Sequence, residues 1–229
     1  MTGSMWQVAL AAAVFVGGHF SLSVEPLRSG LRARLGDNGF RAVYSIIAIA
    51  SLAWLGLAYG AAPYVELWPQ AHWARAIPTL VMPIALLLVI CGTSQFNPTV
   101  TGQGFRDVNG DPAPGILKLT RHPVMWGVGL WALSHLPPNG DLASIILFGG
   151  LAALALGGTL AIDARRARDD PTGFARIAAV TSNLPLAALI SQRQRLRFAD
   201  IGLWRILIAA FLYLALFYVH RWVAGVALT

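Results

Sequence analysis

Cysteine and charge are both scarce in this 229-residue chain, and each scarcity excludes something. A single cysteine, Cys91, rules out an internal disulfide and any zinc site built from thiolates. Asp, Glu, Lys and Arg together make up 12% of the residues, against the roughly 25% of an ordinary soluble domain. Internal repeats and low-complexity tracts are missing as well, which sets solenoids and compositionally biased tails aside. Residues 1–7 hold no Lys or Arg and no small-residue cleavage site follows the first apolar stretch, so that stretch reads as a retained helix and not a signal peptide.

What the chain does have is apolar surface: 56% hydrophobic residues and a mean hydropathy of +0.62. Six apolar segments can be marked, at residues 6–24, 42–62, 77–93, 123–136, 142–162 and 201–219, each near the ~20 residues needed to cross a bilayer. The expected architecture is therefore an all-α, polytopic membrane bundle of about six helices forming one domain over residues 1–229. All the cations except Arg75 and Arg221 fall on the first, third and fifth connections. By the positive-inside rule those connections face the cytoplasm and both termini lie on the opposite side of the membrane. The net charge of +7 does not signal nucleic-acid binding, because the basic residues sit in alternate loops without interleaved aromatics.

The connections carry further expectations. Pro137 and Pro138 end the fourth span and Asp141 is placed to cap the fifth. The fourth span, about 14 residues or ~21 Å of helix, is short for a crossing and is expected to sit off-centre or to be packed inside the bundle. Pro83 is expected to kink the third. The run at 177–190, with Thr181, Ser182 and Pro185, reads as an interfacial or re-entrant piece. Asp163, closing the fifth span against the helix dipole, is expected to pair with Arg165 or Arg166.

Depth sorts the five histidines. His19 and His122 fall at the cytoplasmic level together with Cys91, whereas His72, His135 and His220 fall at the opposite face. An ionisable group inside a span needs a cavity, a partner or a bound group, and neutral imidazole is a suitable axial ligand for haem iron. His122 is the stronger candidate. Arg121 beside it offers a bidentate cation for a carboxylate or phosphate, and Met125 and Trp126, three and four residues on, share its helix face.

Larger patterns run through these positions: Gly18-His19-Phe20 followed by Leu27-Arg28; Thr120-Arg121-His122-Pro123 continuing to Trp131-Ala132-Leu133-Ser134-His135-Leu136; Asn139-Gly140-Asp141-Leu142; Asp163; and Thr181-Ser182 with Pro185. In these the chain resembles the NnrU family, bacterial membrane proteins related to the plant 15-cis-zeta-carotene isomerase. The resemblance implies either a role in denitrification and nitric-oxide metabolism or redox-type cis-trans isomerisation of a lipophilic polyene. It implies haem b as cofactor, with His19 and His122 as metal ligands and catalytic positions, and Arg121, Met125, Trp126 and Cys91 as its surroundings. A cysteine ligand just before Arg121 is not present, since Leu119 and Thr120 stand there, so a thiolate alternative falls to Cys91.

A second resemblance, Arg121-His122-Pro123 followed by Gly127, is to membrane methyltransferases of the isoprenylcysteine type, which use S-adenosylmethionine. Their paired-glutamate motif is missing: Glu25 and Glu66 are the only glutamates, and both lie upstream. Methyl transfer and a non-enzymatic accessory role in respiratory nitrogen-oxide complexes are the alternatives. The expected partners are membrane lipid and a lipophilic small molecule.

Overall fold

The apolar stretches fold as helices throughout the computed structural model, which describes residues 3–100, 103–106 and 110–225. In chain order these are α1 (Met5–Ser21), α2 (Leu27–Ala61), α3 (Ala76–Ser94), α4 (Pro123–His135), α5 (Leu142–Asp169), α6 (Pro171–Val180) and α7 (Leu203–Val223). Four are long and apolar enough to cross a membrane: α2, α3 with the 3-10 turn that precedes it, α5 and α7. The remaining two expected spans are shorter helices, α1 with 17 residues and α4 with 13. The extreme termini and parts of the third connection, residues 101–102 and 107–109, lie outside the described residues.

The outward faces are as apolar as the contacts between helices. Leu57 on α2, Leu80 on α3, Leu160 on α5 and Phe211 on α7 are all about two-thirds or more exposed. A water-soluble helix would turn polar side chains there; these faces suit lipid.

Glycines bring the central helices together. A β-carbon on Gly127 of α4 would stand 2.6 Å from Val89 Cγ2 and 2.7 Å from the Ala85 carbonyl of α3, and one on Gly129 would stand 2.9 Å from Leu156 of α5. Small residues at such points let backbones approach closely. The short α4 is thereby enclosed between α3 and α5, one of the two placements expected from its length, while α1 packs on α2 and α5 and α7 packs on α3.

Two irregularities shape the rest. Gly36, with φ +69°, breaks α2 and separates the arginine-bearing stretch before it from the apolar stretch after it, a backbone state open chiefly to glycine. Helix α5 begins with Asp141 accepting from Ser144 N at 3.0 Å, the cap expected from sequence, and runs through a π-helical turn at Ile145–Gly149. That turn sets Phe148 against His135 of α4, the rings stacked at 5.2 Å. His135 Nδ1 donates to the Trp131 carbonyl at 2.7 Å, so His135 serves the packing of the α4–α5 hairpin.

Candidate functional site

The site grows from the approach to α4. After a 3-10 turn at Gly115–Lys118 the chain passes through Leu119 and Thr120 in register with the segment that follows α6. Arg121 N donates to the Ser182 carbonyl at 3.0 Å, Leu186 N to the Leu119 carbonyl at 3.0 Å, and Thr120 Oγ1 to the Asn183 carbonyl at 2.6 Å. Pro123 restricts the residue before it to non-helical backbone. His122 accordingly sits at φ −120°, ψ 54°, and α4 starts immediately after.

That backbone turns two side chains toward Asp163 on the last turns of α5. Arg121 closes its fork on the carboxylate, Nε at 2.9 Å from Oδ1 and Nη2 at 2.7 Å from Oδ2, and His122 Nε2 lies 2.7 Å from Oδ1. The His122 side chain is wholly buried, and those of Arg121 and Asp163 are nearly so, at 13% and 15% exposed. Asp163 therefore pairs with Arg121 and His122 and not with the neighbouring arginines expected from sequence. An acid three turns past the apolar centre of α5 was visible as an anomaly; its partners, some forty residues earlier, were not.

Asn183 ties the back of the site. Its Oδ1 accepts from Trp126 Nε1 at 3.2 Å and its Nδ2 donates to Thr159 Oγ1 on α5 at 2.9 Å. Neither Asn183 nor Thr159 stood out in sequence, since a loop amide and a lone threonine in an apolar helix carry no periodic signal. Met125 turns to α5 at Gly158, where an added β-carbon would meet its methyl at 2.5 Å. Trp126 instead packs in the cluster of Leu88, Cys91, Ile116 and Ile201, in which Cys91 is a fully buried free thiol.

His19 has a different neighbourhood. Its Nδ1 donates to the Phe15 carbonyl at 2.7 Å, and its ring meets Phe15 at 4.4 Å and Tyr44 of α2 at 5.3 Å. It shares no hydrogen-bond partner or ring contact with His122. Among the described residues no group of three or more His, Cys, Asp or Glu converges as a metal cage.

Each imidazole nonetheless has one nitrogen tied to an oxygen acceptor, which in the neutral ring leaves a lone pair on the other: Nε2 of His19 and Nδ1 of His122. This is how second-shell acceptors prepare histidine for a metal. His122 Nδ1 is buried with no hydrogen-bond partner at all. The donors thus suit haem iron, but the space does not suit the macrocycle at His122. Its ring is enclosed, and a cavity of about 510 Å³ lined by residues 93–96 and 103–106 touches neither histidine. Nor is Arg121 free to anchor a propionate, because Asp163 occupies its fork.

Fold and site together define an all-helical protein with four helices long and apolar enough to cross a membrane, in which a buried carboxylate joins an arginine and a histidine at one end of the helix pair α4–α5. The chain belongs to the NnrU family: the NnrU protein family matches residues 7–228, nearly its whole length. No curated protein and no solved structure gives a significant match.

Proposed function

We propose that this NnrU-family chain is a six-span protein of a bacterial inner membrane, termini periplasmic, which acts on a lipophilic small molecule or in nitrogen-oxide redox metabolism, with haem b as the cofactor its resemblance implies, although the enclosed His122 does not admit the macrocycle in this structure. The observation that carries the reading is the buried, partnerless Nδ1 of His122 on a ring fixed by Asp163. A buried acceptor left unpaired costs about 1–3 kcal/mol, a cost that a bound donor or metal removes. His19 is the second ligand that the resemblance implies, and in this structure it stands apart, against Phe15 and Tyr44. Haem, when bound, supplies the one-electron chemistry. The chain's own part is to hold the His122 ring through Asp163 and exclude water.

Methyl transfer gains no support from the geometry, since Arg121, which would face the cofactor's carboxylate, is already paired. The test is an absorption spectrum of protein purified anaerobically from haem-replete cells. A Soret band in the wild type, lost in folded His19→Ala and His122→Ala variants, is expected. Wild-type protein free of haem overturns the reading, and a band that survives His122→Ala removes that residue from the ligand set.

A further inference from the structure

The first nine residues of α2 are set off from the apolar run that follows them. Gly36, at φ +69° and ψ 172°, occupies a backbone region open essentially to glycine, and the chain turns sharply there. In an unbroken helix Arg28 and Phe40 would lie about 18 Å apart along the axis. Instead the Arg28 guanidinium stands 5.2 Å from the centre of the Phe40 ring. Arg32 Nε reaches Asp37 Oδ1 at 2.7 Å across the same turn, and a β-carbon on Gly39 would stand 3.2 Å from Leu35 Cβ. Residues 27–35 therefore form an arm bent over at an elbow and do not prolong the axis of the span.

Around the arm two chemistries take fixed places. At about 100° per residue, Leu27, Leu31 and Leu35 fall in one stripe roughly 80° wide. Arg28 and Arg32 border the stripe on one side and Arg34 on the other, while Ser29, Gly30 and Ala33 lie opposite. Leu27 and Leu35 are 48% and 44% exposed, and Arg32 and Arg34 are exposed beside them. Leucines held open between two borders of arginine fit a bilayer surface, where the leucines enter the acyl boundary and the guanidinium groups rise to the headgroups.

We infer that residues 27–35 are an in-plane arm that docks on the surface of an anionic bilayer, leucine stripe inward, with Gly36 as the elbow between surface and span. Charge selects this occupant. Guanidinium forks match phosphate oxygens in pairs, whereas the same face of a second copy, packed on it about a two-fold axis, would set arginine borders against each other. Docking of this kind needs α2 to cross a membrane and needs nothing of haem, because neither His19 nor His122 belongs to the arm.

The test uses the full chain in a Cys91→Ser background, with an environment-sensitive fluorophore attached at Leu27→Cys on the stripe or at Ala33→Cys on the opposite face. Each protein is reconstituted in vesicles containing phosphatidylcholine spin-labelled near the top of its acyl chain, with or without phosphatidylglycerol. With phosphatidylglycerol present, quenching at position 27 is expected to be roughly twice that at position 33 or more. It should fall by about a third or more in vesicles of phosphatidylcholine alone, and likewise when Arg34→Gln is added. Equal quenching at the two positions, or none at either, overturns the arm. A probe at position 27 that is shielded from water yet unquenched is covered by protein, which assigns the stripe to a second copy and overturns the lipid reading. Quenching indifferent both to phosphatidylglycerol and to Arg34→Gln overturns anionic lipid as the partner.

Discussion

Asp163 is shared by two cationic or proton-donating partners, and its removal leaves both stranded. Breaking a buried pair from one side typically costs about 3–5 kcal/mol, whereas replacing the whole set with apolar groups costs far less. Asp163→Asn is therefore expected to lose that much unfolding free energy in mixed micelles, and Arg121→Met combined with Asp163→Leu to recover part of it. Additive losses in the double variant would show that the residues do not act as one unit. A second buried cation, Lys118, is held by Asp111 at 3.3 Å and Asp200 at 3.2 Å. Burial alone pushes the Asp200 carboxyl up, and the Arg197 backbone N–H together with the Lys118 ammonium outweighs it, so that its pKa lies below the ordinary carboxylate value of about 3.9. A lowered carboxyl stabilises the fold above that ordinary value and loses its contribution as pH falls through the folded one. Stability measured from pH 6 downward should then fall less steeply in Asp200→Asn than in the wild type.

At the scale of elements, α4 depends on its glycines. Gly127→Ala would push a methyl against the Ala85 carbonyl and Val89 of α3, and overpacking of this kind costs about 1–3 kcal/mol. A lowered thermal midpoint is expected, against an unchanged or slightly raised one for Gly60→Ala on α2, where a β-carbon meets open space. Equal midpoints for the two variants would mean that the α3–α4 contact is looser than its geometry. The sequence shows these glycines but not their role: Gly127 and Gly60 look alike in apolar helices, and only the helix that crosses opposite one of them makes it indispensable.

For the molecule as a whole, the distribution of arginine is the strongest directional signal, and it can be tested without knowing any ligand. In a Cys91→Ser background, Gln70→Cys should react with a membrane-impermeant maleimide in intact spheroplasts, and Ser191→Cys only after lysis. The reverse pattern would invert the proposed orientation.

Helix positions, the Asp141 cap and the shortness of α4 were legible in the chain because hydrophobic run length, prolines and capping residues act within a few residues of themselves. His122 could be singled out in the same way, by its depth and by Arg121 and Pro123 beside it. Its pairing with Asp163, the clamp at Asn183, the diversion of Arg121 from any outside ligand and the separate surroundings of His19 were settled only by packing. They join residues tens of positions apart, and which side chains meet there depends on how helices cross at their glycines, a property that no local pattern encodes.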